Sequence, residues 1–395
     1  MNFIFISPAF PKNYYNFCDR LKKNGVTVLG IGDTPYQELS SDVIRSLDEY
    51  YKVNSLENYD EVYRAVAYFA FKYGKIDWLE SNNEYWLRQD AKLRRDFNIN
   101  GAKPEDVVTF TSKSNMKEFY IKAKVPVARY KICSTLEEDK KFIDEVGFPV
   151  IVKPDVGVGA SMTYRLDNLS DMEFFYSKPF VCKYIMEEYI YGNIISFDGV
   201  CDSKSNPVFC DNEVFPPSIA DIVNDNLEVS YYVNKNVPND VYEIGKRVLK
   251  AFNIKSRYFH LEFFRLTKEK HGLGKIGDIV ALEVNMRPPG GYTPDMINFA
   301  QSVDTYQIYA DIVCYDKIVN VKLDYPKYYC MYYGRRDRFN YKYTFEEIKA
   351  KFPLIQMHER MSDVLSAAMG NEFYIAKFED FKDLESFKKM VEEKK

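Results

Sequence analysis

DIVALEVNMRPPGG, residues 278–291, decides how this chain is read. Taken as an extended strand, its side chains alternate between two faces. Val280, Leu282, Val284 and Met286 share one face, which is apolar, while Ala281, Glu283, Asn285 and Arg287 share the other. One side would pack on a core and the other would present a carboxylate, an amide and a guanidinium in line. Magnesium takes hard oxygen ligands and shares them with phosphate oxygens. A carboxylate and an amide oxygen two residues apart reach one such ion. Arg287, one step further, suits an anionic substrate or a developing oxyanion.

The preceding stretch RYFHLEFFRL, residues 257–266, repeats the logic. His260 and Glu262 share a face opposite Phe259, Leu261 and Phe263. The polar link to residue 278 suits an antiparallel hairpin, whose pairing would set Glu262 beside Glu283. Adjacent carboxylates repel unless a cation lies between them. Either acid alone reads equally well as a charge on a solvated strand face; the set on two paired strands favours a metal site. His260 reads as a neighbour packed against Glu262 rather than as a general base.

Upstream, FPVIVKPDVGVGASMTYRL, residues 148–166, delivers Lys153 on a strand. The loop after it offers Gly157, Gly159, Ala160 and Ser161, small residues whose backbone N–H groups approach phosphates closely. A P-loop would place its lysine after the glycines and open a helix. Here the lysine comes first and another strand follows, so the pattern is a strand–loop–strand flap, or an ordinary glycine hairpin. In KYIMEEYIYGNIISFDG, residues 183–199, Glu187–Ile190 reads as a connector whose backbone could copy a base-pairing edge, or as an edge strand.

Around these motifs the first hundred residues alternate strand (NFIFISPAF, VTVLGIGD, IDWLES) and helix (YYNFCDRLKKNG, LENYDEVYRAVAYFAFKYGK). That order implies a parallel sheet with right-handed crossovers. It is Rossmann-like but lacks G-x-G-x-x-G, so no dinucleotide is expected there. Pro104-Glu105-Asp106 marks a boundary, and strands and helices mix from there on. The polar stretch 220–230 reads as a mobile surface loop. Arg335, Arg336 and Arg338 read as a solvated turn, or more sharply as contacts to substrate or flap.

The 395 residues carry a net charge of −4, and general nucleic-acid binders are usually basic. Seven scattered cysteines without a C-x-x-C pair argue against a zinc site and suit a reducing cytosol. MNFIFISPAFPK reads as a first strand rather than a signal peptide, and no apolar run approaches the length of a membrane helix. A cytoplasmic protein is expected, without nucleic-acid or membrane partners. A homodimer is compatible with the sequence, which does not set oligomeric state.

In order and spacing, these pieces resemble the ATP-grasp superfamily: biotin carboxylase, the carbamoyl phosphate synthetase large chain, D-alanine–D-alanine ligase and bacterial L-amino-acid ligases. The resemblance covers residues 1 to about 315. It implies an α/β chain with an α+β ATP-grasp core: a Rossmann-like domain over 1–105, an ATP-grasp domain over 106–315 with a lid at about 130–188, and a small α+β substrate-side module over 316–395. It further implies ATP and Mg2+ (two ions, with Mn2+ a possible substitute) as cofactors. Lys113 and Lys153 then match the phosphate-contacting lysines, and Gly157, Gly159, Ala160 and Ser161 the flap. Glu187 and Ile190 match the hinge that reads adenine through its backbone. Glu262, Glu283 and Asn285 match the metal ligands, and Arg287 the arginine that holds the substrate carboxylate and acyl-phosphate. The usual ribose-binding glutamate is absent: Ile194 stands at its position. KVPVA, residues 124–128, lacks a glycine common in relatives, and the flap is poorer in glycine than in biotin carboxylase. The implied activity is ligation of a small-molecule carboxylate to an amine through an acyl-phosphate. Alternatives are a kinase that stops at phosphorylation and a catalytically silent nucleotide-binding protein.

Overall fold

In the first 80 residues, short apolar strands alternate with amphipathic helices and fold as a parallel sheet. Its order is Glu49–Lys52, Thr27–Gly32, Asn2–Ile6, Trp78–Glu80. Phe3 and Phe5 face one way, onto Phe17 and Leu21 of the helix Tyr15–Lys23. Ile4 and Ile6 face the other, onto Val62, Val66 and Phe69 of the helix Tyr59–Tyr73. Asn58 caps that second helix and Gly74 stops it in a left-handed conformation, φ +82°. This computed structural model describes residues 1–157, 162–215, 228–361 and 363–395.

The lid is a four-stranded sheet in the order Tyr130–Ile132, Tyr184–Glu188, Val150–Pro154, Tyr164–Leu166. Val150, Val152, Leu166, Tyr184 and Met186 pack with Phe142 and Met172 of its two helices, Leu136–Val146 and Leu169–Tyr176. Alternation along the strands then sets Lys153 and Glu187 on the opposite face.

The central sheet is mixed in origin. Its path runs Ile279–Asn285, Arg257–Leu266, Gly192–Cys201, Glu213–Phe215, Val229–Val233, Tyr329–Arg335, Glu372–Phe378, Ile355–Arg360, with Pro207–Asp211 also paired to Gly192–Cys201. One face is apolar: Phe197, Phe259, Leu261, Phe263, Ala281 and Val284 pack beneath the helices Lys113–Lys122 and Asn239–Ala251. Gly245 lets the second helix sit directly on the Phe197 ring, where a Cβ would lie 2.1 Å from a ring carbon. The opposite face carries the polar residues.

Two expectations need correction. The expected hairpin forms, but a bulge falls where Glu262 pairs Glu283 and Phe263 pairs Ala281, leaving Leu282 as the extra residue. Strict alternation therefore fails across residue 282: Ala281 joins Val284 and Met286 in one core, and Val280 packs in another with Ile190 and Leu266. In the stretch 220–230, residues 220–227 lie outside those described, while Val229 and Ser230 are buried at the start of a strand. In residues 316–395, Tyr329–Arg335 pairs along Val229–Val233 and extends the central sheet. Among the described residues no helix is long and apolar enough to cross a membrane.

Candidate active site

The hairpin register puts Glu262 directly opposite Glu283, and His260 opposite Asn285. Residues paired this way have side chains about 5 Å apart, close enough for both acids to meet one cation cluster. Glu262 and Glu283 stay partly accessible, and Asn285 is buried. Burial pushes the Glu283 carboxyl up; Lys113 pulls it down, but Glu84 and Glu262 add repulsion, and it settles above the usual range. Burial also raises Glu262, but His260, Arg287 and Lys153 outweigh it and hold it low. Paired acids with opposed shifts, one of them an acid that resists ionisation without a counter-charge, are the donor set a hard divalent cation fits.

Lysines approach from two sides. Ser112 caps the helix Lys113–Lys122 by accepting from Asn115 N–H, which fixes where Lys113 emerges. Its Nζ lies 3.2 Å from Glu283 and donates to the Gly157 carbonyl at the base of the flap. Lys153 comes from the lid and meets Glu187 at 2.8 Å. Glu187 also meets Lys117 at 2.6 Å, one helical turn from Lys113. Against the cost of burial, Lys117 and Lys153 hold the Glu187 carboxyl down at about 2. Burial and Lys153 in turn lower Lys117, despite Glu187.

Glu187 was expected in the connector, and the structure places it in a strand. It sits in an inner strand of the lid sheet, paired with Tyr130 on one side and Ile151 on the other, so its backbone is committed to the ladder. Its carboxylate is what reaches the site. The connector between strands is 189–191, with Ile190 buried in its middle. Gly157 offers its carbonyl to Lys113, whereas Gly159, Ala160 and Ser161 lie outside the described residues.

Arg287 leaves the end of the hairpin and meets Glu84 of the Rossmann-like part at 2.7 Å. Its approach is fixed by Arg257, which donates two bonds of 3.0 and 2.6 Å to the Met286 carbonyl and pairs with buried Glu80 at 3.2 Å. His260 behaves as expected: Nδ1 is 2.5 Å from Asp198 and Nε2 is 3.7 Å from Glu262. Arg335 and Arg336 are not a solvated turn. Both are buried, Arg335 on the Val391 and Tyr343 carbonyls and Arg336 on those of Ser366 and Ala367.

Sequence reasoning missed Lys117, Glu84 and Arg257. Lys117 had a signal in its i, i+4 spacing from Lys113. Glu84 had one in its place just after the last strand of the parallel sheet, where open α/β sheets gather ligand-binding residues. Arg257 had none.

A parallel α/β domain, a lid sheet and an antiparallel sheet bearing two acids, an amide and an arginine define the ATP-grasp fold. The chain superposes on the crystal structure of L-amino acid ligase from Bacillus licheniformis with a TM-score of 0.73 and 13% identity, covering 99% of this chain and 96% of that one. In sequence it is similar to the L-arginine-specific L-amino acid ligase of Bacillus subtilis, 24% identical over 266 residues, 64% of this chain and 62% of that protein. It is also similar to the alanine–anticapsin ligase of Bacillus subtilis strain 168, 22% identical over 366 residues, 83% of this chain and 75% of the relative. The chain thus spans about three fifths of the length of the first of these relatives. No family model matches it.

Proposed function

We propose that the protein is an ATP-dependent carboxylate–amine ligase that forms an amide or peptide bond between small molecules. The observation that carries this reading is the register of Glu262 against Glu283, with Asn285 beside them, Lys113 from the helix Lys113–Lys122 and Lys153 from the lid sheet near them, and Arg287 at the end of the row. The named relatives are ligases, and a carboxylate is the substrate such a row suits.

A carboxylate is a poor electrophile, and transfer of the ATP γ-phosphoryl group makes it an acyl-phosphate. The amine then attacks the acyl carbon, the C–O bond breaks, phosphate leaves and the amine sheds a proton. Lys153 and Lys113 bind and orient the phosphates and neutralise charge as it moves in line. Arg287 holds the acid, exchanging Glu84 for the substrate carboxylate. Water has to be kept from the reacting atoms, since it would otherwise hydrolyse the acyl-phosphate. Glu262, Glu283 and Asn285 would hold Mg2+, as two ions or with Mn2+ in their place, which would supply Lewis-acid stabilisation of the transferring group. The nearby connector 189–191 would receive the adenine, and the reaction proceeds with small-molecule partners alone.

The test uses a candidate acid labelled with 18O in its carboxylate, together with ATP, Mg2+ and an amine. Transfer of one 18O into released phosphate, dependent on the amine, supports the ligase. A stable phosphorylated product formed without amine would replace this reading with a kinase. Tight ATP binding with no turnover across an acid–amine panel would replace it with a silent binding protein.

A further inference from the structure

The acidic row on the central sheet does not stop at Glu262. Asp198, Asp211 and Glu213 continue it across the neighbouring strands, and all three are fully buried. Neither carboxylate oxygen of Asp211 or of Glu213 has a hydrogen-bond partner among the described residues. Asp198 accepts from Ser196 and from His260. One oxygen of Asp198, one of Glu213 and one nitrogen of His260 lie within 4.8 Å of one another. Glu213 therefore points into a space bounded by another acid and an imidazole, where no donor meets it. Buried carboxylates without partners are unfavourable when ionised, and those of Asp211 and Glu213 are both pushed well above the usual carboxylate range. One imidazolium cannot balance them, and Lys327 offsets only Asp211.

We propose that Asp198, Glu213 and His260 form a binding site for a divalent transition-metal ion, separate from the magnesium position at Glu262 and Glu283. A mixed set of two carboxylates and an imidazole, closed off from water, suits first-row transition ions; magnesium prefers oxygen donors and retained waters. The donors are acids and a histidine, so the scattered cysteines take no part. Two ligands about 2.1 Å from one ion are at most about 4.2 Å apart, so the cluster is near coordinating size, and His260 Nδ1 and Asp198, 2.5 Å apart, part to admit the ion. His260 gives up its Nδ1 proton to solvent as the ion enters between it and Asp198. Burial and the neighbouring acids Asp198 and Asp211 drive Glu213 well above the usual carboxylate range, so it too releases a proton.

Full-length protein stripped with chelator is titrated with Co2+ in excess Mg2+ and ADP, read by visible d–d absorption and calorimetry. The proposal expects one Co2+ equivalent that Mg2+ does not displace. Glu213→Gln, and independently Asp198→Asn, should weaken it by about a hundredfold or more, the scale seen when support of a metal site is removed. Glu283→Gln should retain it. Glu213→Gln keeps the shape of a buried carboxyl that has no partner, so the variant should melt no lower than the parent, and Asp198→Asn repeats the test on the other side of the cluster. The proposal fails if no Mg2+-resistant equivalent binds, if Co2+ binds both variants as tightly as the parent, or if Glu283→Gln alone abolishes it. The readout is metal binding, so the result stands apart from whether the protein ligates.

Discussion

Glu187 between two buried lysines gives a prediction with a worked magnitude. In the fold its carboxyl titrates near 2 against an ordinary 4.5, because Lys117 and Lys153 outweigh burial. At 1.36 kcal/mol per unit, that shift corresponds to about 3 kcal/mol of stability. A folded value below the unfolded one means the contribution is full above about 4.5 and is lost as pH falls toward about 2. Glu187→Gln strands two buried ammonium groups and should lose about 3 kcal/mol near neutral pH, shrinking to roughly half that by about pH 3. Urea unfolding of parent and variant at both pH values measures it. Adding Lys117→Met to Glu187→Gln should recover part of the loss, since one stranded charge goes. Equal stability of parent and Glu187→Gln near neutral pH, or a gap that does not change with pH, refutes the reasoning.

Glu283→Gln should lower turnover by about two to three powers of ten, the cost of losing one charge-stabilising group, with an unchanged circular dichroism spectrum. Chelator should abolish phosphate release, Mg2+ should restore it, and Mn2+ should substitute at least in part. Arg287→Lys should raise KM for the acid more than for ATP, because an ammonium cannot make a two-pronged contact; equal effects on both would argue against its placement. Gly245→Ala tests packing. Alanine favours a helix by about 1 kcal/mol, but its Cβ would meet the buried Phe197 ring at 2.1 Å, and overpacking costs about 1–3 kcal/mol. The clash should win, lowering the melting temperature, and Phe197→Leu in the same chain should relieve it.

Much of the fold was legible because local pattern and tertiary need agree. Apolar runs with helices between them fix the parallel sheet, and the hairpin placed Glu262 opposite Glu283 from alternation alone. The bulge at Leu282 was not legible, since an extra residue leaves composition and periodicity nearly unchanged on either side. Partners distant in sequence were also hidden. Glu84 meets Arg287 across 203 positions, and no local signal carries that distance. Arg335 and Arg336 look like surface charges in a polar stretch, yet each is buried on backbone carbonyls that only the folded chain brings near. Glu187 was singled out for its backbone, and in the fold its side chain is what meets Lys117 and Lys153.

The pairing of Val229–Val233 with Tyr329–Arg335 bears on how the molecule comes to be assembled. During synthesis the strand that carries Tyr231 waits about a hundred residues for its neighbour. Until then it is an open edge with unpaired backbone groups, a template for wrong pairing. Cutting the chain before Tyr329 would leave that edge permanently exposed, a few strands from the acids. The final 80 residues therefore serve as a clasp, and a truncated protein should aggregate before it shows any defect in chemistry.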